Sequence, residues 1–415
     1  METVHQRVGG LDIHKKTIVV CVRITGADGA VQEEIRTFAT MTDDLLALCD
    51  WLSGQGVTHV AMESTGVLWK PIWNILEGYD FRPLLVNARE LKQAPGRKSD
   101  VKDCQWIAHL LACGLLRSSF VPQRGQRQLR DLTRHRAQLH GEHTRCANRI
   151  HKVLQDANIK LSSVATDILG KSGRDMLAAL AAGQHDPAAT AELARGKLRK
   201  KIPDLKRALK GCVMEHHQFM LEQLLDHLAL LEEQVSRFDD RIGEALRPFL
   251  DEQTFGRLDA IPGVNRVTIE NVVAEIGVDM RQFPSAERLA SWAGLCPGNE
   301  ESAGKRKRSR TTKGNVWLRR ALCEAAWAAG RSKDTYFAAQ YRRLAGRRGK
   351  KRAIMAVAHS LLVVFYHLLK NEHLEYRELG GNYFDTLDPI RLRRHLVKRL
   401  ESLGYEVTLA ERNAA

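Results

Sequence analysis

The first 118 residues alternate strand and helix signals in an order that constrains this chain more than any other feature. Val8–Asp12 is a short apolar stretch holding Gly9 and Gly10. After a turn at His14, Lys15 and Lys16 comes Thr17–Ile24, rich in β-branched residues, and the two read as a hairpin. A third strand, Val31–Phe38, follows the Gly26–Gly29 turn. The next element, Thr42–Leu52, has helical spacing with a threonine as cap and Asp43 and Asp44 in its first turn. Val57–Glu63 reads as a strand, Trp69–Leu76 as a short helix, Phe81–Val86 as a strand and Asp100–Leu116 as a helix. Three strands, helix, strand, helix, strand, helix predicts an α/β layer.

Four carboxylates fall at particular places in that order. Asp12 lies in the first strand, Glu63 ends the fourth, and Asp100 and Asp103 open the last helix. A three-residue spacing puts two helical carboxylates on one side, with Cβ atoms roughly 5–6 Å apart. Asp12 sits among apolar neighbours, where a carboxylate is costly without a cation. The element order and the acid positions resemble RNase H-like nuclease folds. Hard oxygen donors converging in this way suit Mg2+ or Mn2+, and a two-ion site serves attack and departure at phosphorus. His14 and Lys15 follow Asp12 closely enough to reach a phosphate, although turn residues are ordinarily only that.

Composition narrows the partner. The 415 residues carry a formal charge of +15 and are 44% hydrophobic, so the chain can build real cores in two or three domains and is suited to a polyanion. No uninterrupted apolar run of about twenty residues and no apolar signal segment are evident, which predicts a cytoplasmic, nucleoid-associated protein without a membrane partner. The eight cysteines form no CxxC pair, so neither a zinc knuckle nor a disulfide framework is indicated.

Downstream the pattern turns helical. From Gln123 to Asp156, Leu129, Leu132, Leu139, Ile150, Val153 and Leu154 read as buried. Arg127, Arg130 and Arg134, then Arg145, Arg149 and Lys152, recur at three- and four-residue steps. They either track a phosphate backbone or form a solvated helix face. Leu224, Leu228, Leu231, Val235, Phe238, Ile242 and Ala245 form an a/d seam, which predicts a coiled coil. Its partner is either the Gln123 helix or another subunit, and the need to cut several strands favours a subunit. IPGVNRVTIENVVAEIG, from Ile261, resembles a helix-hairpin-helix that offers turn amides to phosphates. Ala353–Leu369 is an apolar core helix.

The stretch Leu295–Arg320, LCPGNEESAGKRKRSRTTKGNVWLRR, places Ser302 in a Pro/Gly-rich loop beside Lys305, Arg306, Lys307, Arg308, Arg310, Lys313, Arg319 and Arg320. Such cations suit phosphates, whereas a serine in a turn is ordinarily only a turn-former. The expected organisation is a nuclease-like domain over 1–118, a helical linker over 119–205, a coiled-coil helix over 206–250, a helical domain with the serine loop over 251–345, and a helical segment over 346–415.

Taken together, GLDIHK, MESTG, KSDVKD, IPGV, AGLCPGNEESAGKRKRSRTTKGN and WLRRAL resemble the one-ten family of insertion-sequence transposases, relatives of Piv-type DNA invertases. The resemblance implies a RuvC-like DEDD domain with acids Asp12, Glu63, Asp100 and Asp103, and a transposase domain with Ser302 as catalytic serine. It implies DNA strand exchange between donor and target duplexes through a serine–DNA intermediate, guided by a structured bridge RNA and carried out by a dimer or tetramer. The competing reading of the same acids is a metal-dependent Holliday-junction resolvase or nuclease that uses activated water.

Overall fold

The computed structural model describes residues 3–64, 66–87, 100–297, 300–302, 305–308, 311 and 313–410; along 100–102, 300–302 and 305–308 it gives the backbone course only. Contacts divide the chain into two compact units, Met1–Pro122 and Gln123–Ala415.

In the first unit β1 (Arg7–Ile13) is central. β2 (Thr17–Thr25) pairs with it antiparallel and β3 (Val31–Ala39) with β2, while β4 (His59–Glu63) runs parallel to β1 and β5 (Arg82–Val86) parallel to β4. The resulting order is β3-β2-β1-β4-β5. Both faces are covered, so β1 is buried almost throughout, as a central strand must be. Leu11, Ile13, Ile18, Val20 and Met62 meet α1 (Thr42–Gly54) and α2 (Trp69–Leu76) on one face, with Leu45, Leu48, Leu52, Ile72 and Leu76. Val8, Cys21, Ala61 and Val86 meet α3 (Asp100–Ala112) on the other through Cys104, Ile107, Ala108 and Leu111. Edge strand β3 presents Gln32, Glu33, Glu34 and Arg36 to solvent or half-buried, a charged border that resists further pairing.

The element order is as expected, with differences at the ends. Thr42 is the first helical residue and not the cap; Met41 holds the cap position without a side-chain bond. β4 begins at His59, because the Val57 amide is used by Leu52 O. The last helix stops at Ala112, whose carbonyl accepts from the amides of Val4 and His5 at 2.8 and 3.0 Å.

The second unit begins with two long helices, α4 (Arg124–Asp156) and α5 (Glu215–Leu246). They run antiparallel, as the pairs Arg136–Asp239, His143–Glu232 and Asp156–His217 require. Leu224, Leu228 and Leu231 of the seam pack in one cluster with Leu139, Cys146, Ile150 and Leu154 of α4. The seam is therefore filled within the chain, and the subunit partner favoured on sequence grounds is not what covers it. Periodicity fixes which residues need burial, and α4 satisfies that need at short range.

Beyond α5 come α6 (Glu252–Asp259), α7 (Arg266–Ile276) and α8 (Ala286–Trp292), then a hairpin of β6 (Glu300–Ser302) and β7 (Lys305–Arg308). α9 (Val316–Ala329), α10 (Tyr336–Arg348), α11 (Lys350–Lys370) and the tail helix α12 (Pro389–Glu401) follow. α6 and α7 follow one another across the Pro262–Gly263 turn, a helix, a turn and a helix as read from the sequence. The turn amides at Ile261 and Val264 are already taken by Leu258 O and Ile261 O, and Asn265 caps Thr268, so these groups are not available to a phosphate. α11 is by length and composition able to cross a bilayer, although His359, Ser360 and His367 interrupt its apolar run. In this fold Ala353, Val357, Leu361, Leu362 and Phe365 are fully buried in the core, and Tyr366 Oη donates to Phe283 O at 3.1 Å.

Candidate active site

The acids are positioned by strand register. Leu11 of β1 pairs with Met62 of parallel β4, so Asp12 and Glu63 are the next positions on neighbouring strands and share a face. That face is the one α3 covers, since Val8 and Ala61 lie on it as well. α3 approaches β1 without intervening side chains. A Cβ built on Gly10 would lie 2.3 Å from Cys104 O and 2.5 Å from Ala108 N. Because the carbonyl of Ala112, at the far end of α3, meets the residues before β1, the helix runs antiparallel to β1. Its first turn, with Asp100 and Asp103, therefore lies toward the Asp12 and Glu63 end.

The side chain of Asp12 is 15% exposed, and His14 Nε2 stands 3.1 Å from its Oδ2. His14 thus engages the acid. Glu63 is half-buried and Asp103 exposed, while Asp100 is described by its backbone alone. Among the described residues no three His, Cys, Asp or Glu side chains gather closely enough to hold a metal ion. The chemistry of the donors nonetheless fits a hard divalent cation: carboxylates at the ends of two adjacent strands and in the first turn of one helix.

The serine stretch is a hairpin and not an irregular loop. Ser302 pairs with Lys305, Glu301 with Arg306 and Glu300 with Arg308, with a register shift between Glu300 and Glu301. The bridge Pro297–Thr311 closes its neck. Behind that neck the two chain segments touch, since a Cβ on Gly314 would lie 2.3 Å from Gly294 N, in a residue whose φ is +49°.

Of the expected phosphate-binding cations, Lys305, Arg306, Lys307 and Arg308 make up β7. Lys313 is exposed at the neck, Arg319 is half-buried, and Arg320 bonds Glu324 at 2.9 Å. Arg310 lies outside the described residues. The α4 stripe divides: Arg145, Arg149 and Lys152 are exposed, whereas Arg130 and Arg134 reach Glu275, at 3.4 and 2.7 Å. Those two serve the interior and not a phosphate backbone. Burial draws the Arg130 guanidinium down to about 10, against the opposing pull of Glu275.

Sequence reading had not singled out the close approach at Gly10 or the buried carboxylate Glu275. Only Gly10 left a trace, as one of two consecutive glycines in an apolar strand.

Two family models match the chain. Residues 9–159 match a DEDD-type transposase domain, and residues 256–342 match the transposase IS116/IS110/IS902 family, together covering more than half of the sequence. A comparison with curated proteins found no match. The first match spans the strands and helix that bear the four acids, the second the hairpin and its supports. The chain belongs to the IS110 group of transposases, enzymes that recombine DNA by phosphoryl transfer.

Proposed function

We propose that this transposase exchanges strands by a reaction in two parts: Asp12, Glu63, Asp100 and Asp103 of an RNase H-like unit hold Mg2+ or Mn2+, and Ser302 of the second unit is the nucleophile. Support for the first half is the sheet order with acids on β1, at the end of β4 and at the start of α3. The observation that carries the second half is the hairpin register. Ser302 stands opposite Lys305 at the closing pair, so one hydroxyl-bearing residue is held at the tip of a two-stranded arm whose second strand is KRKR.

The acids bind and orient the metal, which when bound polarises the scissile phosphate. Ser302 Oγ forms a bond to phosphorus as the bond from phosphorus to the 3′ oxygen breaks. The serine proton passes to solvent and the leaving oxygen takes one up, giving a phosphoserine and a free 3′-hydroxyl. Attack by the 3′-hydroxyl of the other duplex restores the phosphodiester and the serine, so no energy-rich cofactor is consumed. Lys305, Arg306, Lys307, Arg308, Arg310, Lys313, Arg319 and Arg320 hold the DNA backbone. By the resemblance of its motifs, a structured RNA guides the enzyme to donor and target DNA, and strand exchange between two duplexes calls for a dimer or tetramer.

A second reading is a metal-dependent resolvase using activated water, favoured by the fact that Asp12 and Glu63 lie side by side in a unit that lacks Ser302. One experiment separates the two. The enzyme is incubated with duplexes made from the DNA flanking its gene, with RNA transcribed from that flank, and resolved on a denaturing gel. Under the serine reading a covalent protein–DNA band forms and disappears in Ser302→Ala while DNA binding persists. Full metal-dependent cleavage by Ser302→Ala, with no covalent band from the parent enzyme, would falsify it in favour of water.

A further inference from the structure

Glu275, in the last turn of α7, is only 1% exposed and its carboxylate is saturated with donors. Arg134 Nε donates to Oε1 at 2.7 Å and Arg134 Nη2 to Oε2 at 2.8 Å; Arg130 stands 3.4 Å from Oε2. Asn315 Nδ2 donates as well, 2.6 Å from Oε2. Asn315 is the residue by which the hairpin passes into α9. Its amide oxygen caps that helix, accepting from Trp317 N at 3.0 Å and Leu318 N at 3.1 Å. The same side chain therefore faces two ways, fixing α9 with its oxygen and reaching α4 through Glu275 with its nitrogen.

We propose that Glu275 and Asn315 form a clasp that positions the Ser302 hairpin, making both of them positioning residues for strand exchange; this rests on the serine reading above. Buried ion pairs contribute little net stability compared with apolar packing, so what this one contributes is direction, two guanidiniums and one amide converging on a single carboxylate. The neck leaves no slack, with Gly314 pressed on Gly294 and Pro297 bridged to Thr311. The hairpin is also a lever. β6 runs for three residues, about 10 Å of strand, so a tilt of about 6° at its base carries the tip about 1 Å. A misplacement of that size costs on the order of 100-fold in rate.

The test separates the clasp from the cap. Asn315→Ser keeps a side chain that caps helices as well as asparagine does but replaces the amide that reaches Glu275 with a shorter hydroxyl. Glu275→Gln turns part of the acceptor into a donor facing the arginines. Combining Glu275→Gln with Asn315→Asp reverses donor and acceptor across the contact and keeps the charge of the cluster. Full-length proteins are assayed with the flanking-DNA duplexes and RNA, in single-turnover strand exchange and covalent-adduct formation, alongside DNA binding and thermal melting.

The expected result for Asn315→Ser is a thermal midpoint within about 2 °C of the parent and DNA affinity within about threefold, with exchange slowed about 10- to 100-fold. Glu275→Gln is slowed similarly, and the reversed pair recovers at least about tenfold over Glu275→Gln. Parental speed in Asn315→Ser overturns the clasp, as does a reversed pair no faster than the single variants. An inactive Ser302→Ala beside a fully active Asn315→Ser removes the clasp alone. Strand exchange by Ser302→Ala removes the serine reading and the clasp with it.

Discussion

Gly10→Ala tests how the acids are assembled. The added methyl carbon would lie 2.3 Å from Cys104 O and 2.5 Å from Ala108 N, both backbone atoms of α3 that cannot swing aside as a side chain does. Restoring an ordinary contact of at least about 3.4 Å requires α3 to retreat from β1 by about 1 Å, and overpacking of this kind costs roughly 1–3 kcal/mol. Asp103 immediately precedes Cys104 in that helix, so the retreat carries the helical acids away from Asp12 and Glu63. Gly9 is the matched control. It points to the opposite face, and its Cβ would meet the mobile end of Leu52 at 3.3 Å, a contact a rotamer adjustment relieves. We expect Gly10→Ala to lower Mn2+-dependent DNA cleavage about 100-fold and weaken Mn2+ binding in calorimetry, while circular dichroism shows a folded protein at the assay temperature. Gly9→Ala should stay within about threefold of the parent by the same scale. Equal cleavage and equal Mn2+ affinity in the two variants would show that the α3 acids do not depend on this approach, and the assembly argued here would fail.

Two further outcomes bear on the second unit. Leu228→Ala, at a fully buried seam position, should cost about 2–5 kcal/mol in denaturant unfolding and leave the molar mass by light scattering unchanged; a fall in mass would put the seam in a subunit contact. Burial holds the His359 imidazole below its ordinary 6.5, with Glu287 pulling the other way. Below that value the unfolded chain takes up the proton first, so this residue's contribution to stability falls as pH drops from about 7.5 to about 5.5. His359→Gln should flatten the thermal midpoint over that interval, and an unchanged slope would remove His359 from the account.

The fold of the first unit was legible because its signals are local. Period-two and helical spacing, glycine turns and charged edges each act over a few residues, and they agree. What failed were statements about partners. The heptad seam said which leucines need burial but nothing about whether α4 or another chain would cover them. Thr42 looked like a cap because cap preference is a property of residue type, whereas cap position depends on where the chain enters the helix. The hairpin escaped notice because Pro297 and the glycines around Ser302 read equally well as an irregular loop, and only pairing distinguishes the two.

The arginines carry the same lesson into function. A guanidinium binds a carboxylate, a carbonyl or a phosphate with the same donors, so a regular stripe of them cannot say which it has met. On α4 the stripe divides at about its middle. Arg130 donates to Ala274 O at 3.0 Å and to Glu275 O, capping the orphan carbonyls at the end of α7. Arg136, 1% exposed, pairs with Glu270 and with Asp239. Farther along, Arg145, Arg149 and Lys152 face solvent. The formal charge of +15 therefore overstates what α4 offers to nucleic acid, because part of it fixes α7, and with α7 the helix that receives the hairpin. In a family that must deliver a nucleophile to phosphorus with sub-ångström accuracy, cations spent on holding the scaffold still are as much a part of the DNA chemistry as cations that touch DNA.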